Sequence, residues 1–266
     1  NLDLNGLAGS TLTLTVVLTD NQGNSSITRT VTLTRTGDTI VIPVPPKNVQ
    51  TVDGADVTYT QNANGTGGTT IIKAPPPGRV EDSGTANAAL ADVPVVQEQR
   101  TNPVTGQVES INTLTVSLAT NVSAAVSGTD RRTDTSQSQT DLIREINQRT
   151  DVGSSSQEGL NAGVSSYLST LSTDSQLVVR SIDFTSQGQD QVVVQVTGTE
   201  LGTALPIVLV LNTTGVTGHT TIDLNDVQFA AVIGDATVVG GAGEQTVYGD
   251  AGRQVMILGE GDDELH

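Results

Sequence analysis

Apolar and polar positions follow two different periods along this chain. Over residues 11–19, Leu12, Leu14, Val16 and Leu18 alternate with Thr11, Thr13, Thr15 and Thr19. A period of two belongs to a strand whose side chains point alternately to its two faces. Asp20-Asn21-Gln22-Gly23-Asn24 follows as a turn cluster, and a second arm places Ile27, Val31 and Leu33 on one face. Threonine-rich alternation on both arms suits a half-exposed antiparallel pair. The turn-forming chemistry of Asp, Asn and Gly accounts for the cluster; a calcium held by Asp20 and Asn24 at a domain junction is the alternative. Residues 43–50 (PVPPKNVQ) predict a stiff, extended connector. Val57 to Thr60, the loop QNANGTGG and Thr69 to Lys73 predict a hairpin, ended by Pro75-Pro76-Pro77-Gly78. Residues 79–108, with scattered apolar groups, Pro94 and Pro103, read as an irregular segment wrapping a surface.

From about residue 110 the pattern predicts an α+β unit. Leu114, Val116 and Leu118 alternate, with Val122, Ala124 and Val126 read as a continuation of that strand. Gly128 to Gln139 reads as a polar loop, and Asp141 to Thr150 as a short helix with Leu142, Ile143 and Ile146 on one face. Ser155 and Glu158 have capping-box spacing. They precede Leu160, Val164, Leu168 and Leu171, the apolar stripe of a second helix. Strands are predicted over 176–185, 190–198, 205–212 and 221–233. Leu205 to Leu211 (LPIVLVL) is continuously apolar, the pattern of a strand buried on both faces.

The last 36 residues follow the second period, of nine: AVIGDATVV, GGAGEQTVY, GDAGRQVMI, LGEGDDELH. Glycine holds the fourth place of each unit (Gly234, Gly243, Gly252, Gly261), and an apolar residue the eighth (Val238, Val247, Met256, Leu265). The preceding nine residues put Phe229 in that same eighth place. Such a period predicts a parallel β-helix or β-roll, in which each turn needs glycine and each short strand sends one side chain inward. The bland alternative is a Gly-rich hairpin or tail with accidental spacing. Where the full pattern G-G-x-G-x-D-x-U-x has its calcium-binding aspartate, these units carry Ala236, Gln245, Gln254 and Asp263.

These units resemble the repeats-in-toxin (RTX) family of secreted calcium-binding β-roll proteins of Gram-negative bacteria. The resemblance covers about an eighth of the chain, and only LGEGDDELH matches nearly in full. It implies type I secretion and folding driven by extracellular calcium. The implied ligands are Asp263, Asp262, Gly261 and Gly259, with Asp250 auxiliary. Because family sites join turns two units apart, Asp263 calls for a partner beyond His266. Residues 9–34 (GSTLTLTVVLTDNQGNSSITRTVTLT) resemble the last two strands of a bacterial Ig-like or cadherin-like repeat. About 40 residues cannot close a sandwich alone, so these strands call for a pairing partner. The expected fold class is mainly β, in four segments: 1–44 partial Ig-like strands, 45–109 a proline-containing connector with a hairpin, 110–230 an α+β unit capping the roll, and 231–266 the start of the roll.

Composition narrows the function. Twelve Lys and Arg against 29 Asp and Glu leave a net charge of −17. That disfavours a phosphate-binding surface, so no nucleic-acid partner is expected, and an acidic surface attracts divalent cations. With no Cys, no Trp, two Phe and three Tyr, cores must be built from Val, Leu and Ile. No apolar run is long enough for a membrane span. The chain starts at Asn1 and stops within a repeat, which reads as a piece of something longer. No catalytic constellation is found, and no enzyme is expected. His219 lies in a Gly/Thr turn and His266 is last, there is no G-x-S-x-G, H-E-x-x-H or P-loop, and Asp130-Arg131-Arg132 and Arg144-Glu145 read as solvated charges. The expected function is a bacterial cell-surface structural or adhesive protein, self-associating by strand pairing. The alternative is the secretion and folding module of a toxin or hydrolase whose active domain lies elsewhere.

Overall fold

The computed structural model describes residues 11–16, 29–36, 39–41, 49–62, 67–80, 89–101, 107–129, 131–186, 188, 191–199, 205–241 and 243–266. Among the described residues the fold is mainly β, with two helices. It divides into two units, Asn1–Asn48 and Val49–His266.

In the first unit, β1 (Thr11–Val16) pairs antiparallel with β2 (Arg29–Thr36), which in turn pairs with β3 (Thr39–Val41). Leu12 stands opposite Leu33 and Leu14 opposite Val31, so the two alternating arms share one register. The turn cluster Asp20 to Asn24 and most of the proline connector lie outside the described residues.

The second unit begins with β4 (Val49–Val52), β5 (Ala55–Gln61) and β6 (Gly67–Ile72). The predicted hairpin is β5 against β6, with Val57 opposite Ile72 and Thr60 opposite Thr69. Between β4 and β5, Asp53 and Gly54 turn the chain with φ of 44° and 75°, the left-handed pair a two-residue hairpin needs. Within the segment expected to be irregular, residues 91–101 instead form a strand, β7 (Ala91–Thr101), antiparallel to β8 (Val108–Leu118). Pro94 concealed it. It is tolerated because β7 is an edge strand whose register shifts there. Val122 to Val126 do not continue the preceding strand either. The chain turns at Ala119, whose carbonyl accepts from the Val122 N–H, and β9 (Val122–Thr129) joins the other sheet.

After β10 (Thr133–Asp134) come α1 (Thr135–Asn147) and α2 (Ser155–Thr170). Helix α1 starts six residues before the predicted Asp141. Asp134 caps it by accepting from the Gln137 N–H at 2.8 Å, a role open to any Asp preceding a helical run. The cap of α2 is Ser154 rather than Ser155. Its hydroxyl accepts from the Gln157 N–H, while Gln157 reaches back to the Gly153 N–H.

Nine parallel strands then coil between two sheets. In order they are β11 (Gln176–Ser186), β12 (Val192–Gly198), β13 (Ile207–Gly215), β14 (Thr220–Asn225), β15 (Phe229–Ile233), β16 (Ala236–Gly240), β17 (Thr246–Gly249), β18 (Gln254–Ile257) and β19 (Glu264–Leu265). Odd-numbered strands stack in the large sheet and even-numbered ones in the small sheet. Residues 221–233, expected as one strand, thus form two, one in each sheet. The first coil is covered by antiparallel β9 on one side and β8 on the other. The spacing between stacked partners falls from 29 residues (Val178 to Ile207) through 21 (Val208 to Phe229) to 17 (Phe229 to Thr246) and 18 (Thr246 to Glu264). One coil is therefore two nine-residue units, and the parallel stack begins at β11, well ahead of the nine-residue repeat.

Val238 and Val247 are buried between the sheets and Met256 packs against them, as the eighth-place rule requires. Leu265, on the last strand, is 54% exposed. Phe229 breaks the rule. It stands opposite Thr246 rather than Val247, because the coil there is one residue short, so its ring points out of the roll. It joins a second core beneath the helices with Leu142, Ile146, Leu160, Val164 and Val210. Strand β13 serves both cores. Ile207, Leu209 and Leu211 face between the sheets and Val208 and Val210 face the helices, which is why its sequence is apolar throughout.

Candidate functional site

The turns joining the last strands lie alternately at two edges of the roll. Residues 234–235 and 250–253 stack at one edge, and residues 241, 243–245 and 258–263 at the other. Glycine is required at the second edge by close approach. A Cβ on Gly259 would lie 2.0 Å from the Gly241 carbonyl oxygen, and one on Gly261 (φ +150°) 2.6 Å from that of Gly243. Stacked turns bond directly, the Gly243 N–H donating to the Glu260 carbonyl at 3.1 Å.

This arrangement separates the expected calcium ligands. Gly259, Gly261, Asp262 and Asp263 share one edge and Asp250 lies at the other. Asp263 Oδ1 accepts from the Gln245 N–H at 3.0 Å, across one full coil, and Asp262 is exposed. At the opposite edge, Asp250 accepts from the Gly234 N–H (3.0 Å) with Oδ2, and from the Gly252 N–H (2.8 Å) and Gln254 Nε2 (2.8 Å) with Oδ1. Asp235 Oδ1 likewise accepts from the Arg253 N–H at 2.9 Å. These carboxylates tie each turn to its neighbour through backbone donors.

Two glutamines complete the turns, and the calcium pattern in the sequence does not point to them. Gln254 Nε2 donates to the Val232 carbonyl (3.1 Å), the Gly234 carbonyl (3.0 Å) and Asp250 Oδ1 (2.8 Å). At the other edge Gln245 is buried, and its Nε2 donates to the Gly243 carbonyl at 3.1 Å. Calcium takes six to eight oxygens at roughly 2.3–2.6 Å. At the Gln254 turn the convergent oxygens already surround an amide nitrogen, so that turn does not fit a cation beside its own glutamine. The Asp263 turn has a carboxylate at the sixth place in place of a glutamine. Among the described residues, no three His, Cys, Asp or Glu side chains gather in a metal-binding group. The signal for the glutamines was the pairing of first-place glycine with sixth-place glutamine, in Gly240 with Gln245 and Gly249 with Gln254.

A second polar cluster lies where α1 meets the large sheet, and it corrects the reading of Glu145 as a solvated charge. Glu145 is buried. Arg149 donates to Glu145 Oε2 (2.8 Å), to both Asp183 oxygens (2.7 and 2.6 Å) and to the Ser181 hydroxyl (3.0 Å). Burial pulls the Arg149 guanidinium down, but Asp183 and Glu145 outweigh it and hold it above the ordinary arginine value. The guanidinium stays charged near neutrality, and its bonds to Asp183 and Ser181 fasten the end of α1 to β11. Arg132 is also mostly buried, paired with Glu98 at 2.7 Å. Of the histidines, His219 is within 2.8 Å of the Thr237 hydroxyl, and His266 stacks on Tyr248 with centroids 4.3 Å apart.

No helix among the described residues is long and apolar enough to cross a membrane. Comparison of the chain with protein-family models, with curated proteins and with solved structures finds no match.

Proposed function

We propose that this chain is a segment of a secreted bacterial cell-surface protein, of the kind that builds S-layers, extracellular filaments or large adhesins, with the β-roll as its structural module. The observation that carries this reading is the 18-residue coil made of two nine-residue units. Each added pair of units extends the same two sheets and adds two inward residues, one per sheet, so length grows without a new fold. Exported scaffolds without cysteine draw stability from such stacking, from metal or from assembly. Calcium dependence resides at units of the Asp263 type, and export is by a type I system. The three-stranded sheet of the first unit supplies strands for pairing with a neighbouring subunit by β-augmentation.

The test is electron microscopy and sizing of the purified chain in millimolar calcium and in excess chelator. Sheets or filaments that dissolve on chelation, and that are lost on deleting residues 1–44, are the expected outcome. A monomer in both conditions removes the assembling role and favours a secretion and folding module attached to a toxin or hydrolase.

A further inference from the structure

We infer that Gln254 and Gln245 do in this roll what calcium does in the aspartate-bearing form of the repeat. A side-chain amide closes each turn, so the coils up to residue 257 hold together without metal. The inference rests on the β-roll part of the proposed function and is independent of any role at a surface.

Three observations carry it. The first is convergence. Two backbone carbonyls and one carboxylate oxygen point at the same nitrogen, Gln254 Nε2, at 2.8–3.1 Å. Backbone carbonyls together with a carboxylate are the donor set of a hard cation. Here the partial positive charge is that of two amide hydrogens, and hydrogen-bond lengths place the oxygens about half an ångström further out than calcium would. The second is charge. Both Asp250 carboxylate oxygens accept from neutral N–H donors, of Gly234, Gly252 and Gln254, which engage the oxygens a cation would take. The third is room. A Cβ on Gly249 would lie 2.0 Å from Gln254 Oε1, and one on Gly240 2.4 Å from Gln245 Oε1. Each glutamine thus folds back over the glycine that opens its own unit. The last unit changes both positions together, with Leu258 first and Asp263 sixth. An aspartate is too short to reach back, and a turn built around it leaves the central position open to a cation.

The same geometry makes the Gln254 turn a latent calcium site that one substitution opens. The experiment counts calcium by titration calorimetry and follows β-sheet melting by circular dichroism, on the full chain, in calcium and in chelator. Gln254→Asp is expected to bind an additional calcium ion per chain relative to the parent, to melt below the parent in chelator, and to recover in calcium. Gln254→Ala is expected to melt lower in both conditions and to bind no additional ion. An aspartate variant that gains no ion, or an alanine variant that melts like the parent, overturns the inference. If Gln254→Asp does not fold, Gln245→Asp at the opposite edge is read in the same way, and failure of both to fold in calcium also overturns it. Loss of assembly under the microscope with the ion count as expected would count against the surface role alone.

Discussion

Tyr167 links the helical layer to the roll. Its ring centroid is 4.8 Å from that of Phe229, which is 5.8 Å from that of Tyr248. Tilted aromatic pairs at these distances add about 0.5–1.5 kcal/mol each beyond the area they bury. Burial raises the Tyr167 phenol above its usual value, because the phenolate would lose its hydration without gaining a cation. The folded-state pKa therefore exceeds that of the unfolded chain, near 10. In the window above about pH 10 the unfolded chain releases this proton and the folded chain keeps it, so stability falls as pH rises, by about 1.4 kcal/mol per pH unit. Denaturant melts between about pH 10 and pH 12 should approach that slope, with little change below about pH 9, and Tyr167→Phe should remove it. A slope unchanged in Tyr167→Phe would assign the alkaline loss to other groups. The burial of Glu145 is a residue-scale feature that α1 alone does not reveal, since Ser181, whose hydroxyl donates to its Oε2, lies 36 positions along the chain on β11.

Helix α2 shows how packing overrides local preference. Glycine in a helix interior costs about 1 kcal/mol relative to alanine, yet Gly163 sits in the middle of α2 and is buried. A Cβ there would lie 2.4 Å from the Tyr248 ring, which is held between Phe229 and His266. Overpacking of a filled contact costs about 1–3 kcal/mol, which exceeds the gain in propensity. Gly163→Ala is therefore expected to destabilise the protein by about 1 kcal/mol, as measured by urea unfolding. Stabilisation would mean that α2 can lift from the roll at no cost. Both helices were legible in the 3.6-residue stripe of Leu142, Ile146, Leu160, Val164 and Leu168. Their starts were not, because Asp134 and Ser154 act as caps through backbone donors that only the folded turn presents. The pair β7 and β8 was hidden for a related reason. Pro94 breaks a central strand but is harmless at an edge, and edge position belongs to the sheet.

At the scale of the whole molecule, the second unit carries its own two cores and its own hydrogen-bonded sheets. A fragment of residues 49–266 is expected to fold without residues 1–48, melting within about 2 °C of the full chain; a shift of that size corresponds to about 0.5–1 kcal/mol for a domain this large. Calorimetry decides this, and a fragment lacking a cooperative transition would show that the first unit is needed for the second. The nine-residue period by itself determined that the C-terminal chain coils in parallel with glycine in its turns, since that follows from local backbone sterics and one inward side chain per unit. The two alternating arms of the first unit likewise determined their own pairing. Tertiary structure alone decided that the stack reaches back to β11, whose long coils have no fixed repeat to read. It decided that Phe229 faces outward, because one missing residue in a coil flips a side chain to the other face. It also decided what Asp250, Asp263 and the two glutamines do, since a turn's oxygens find their common target only when the turn one coil away is in place.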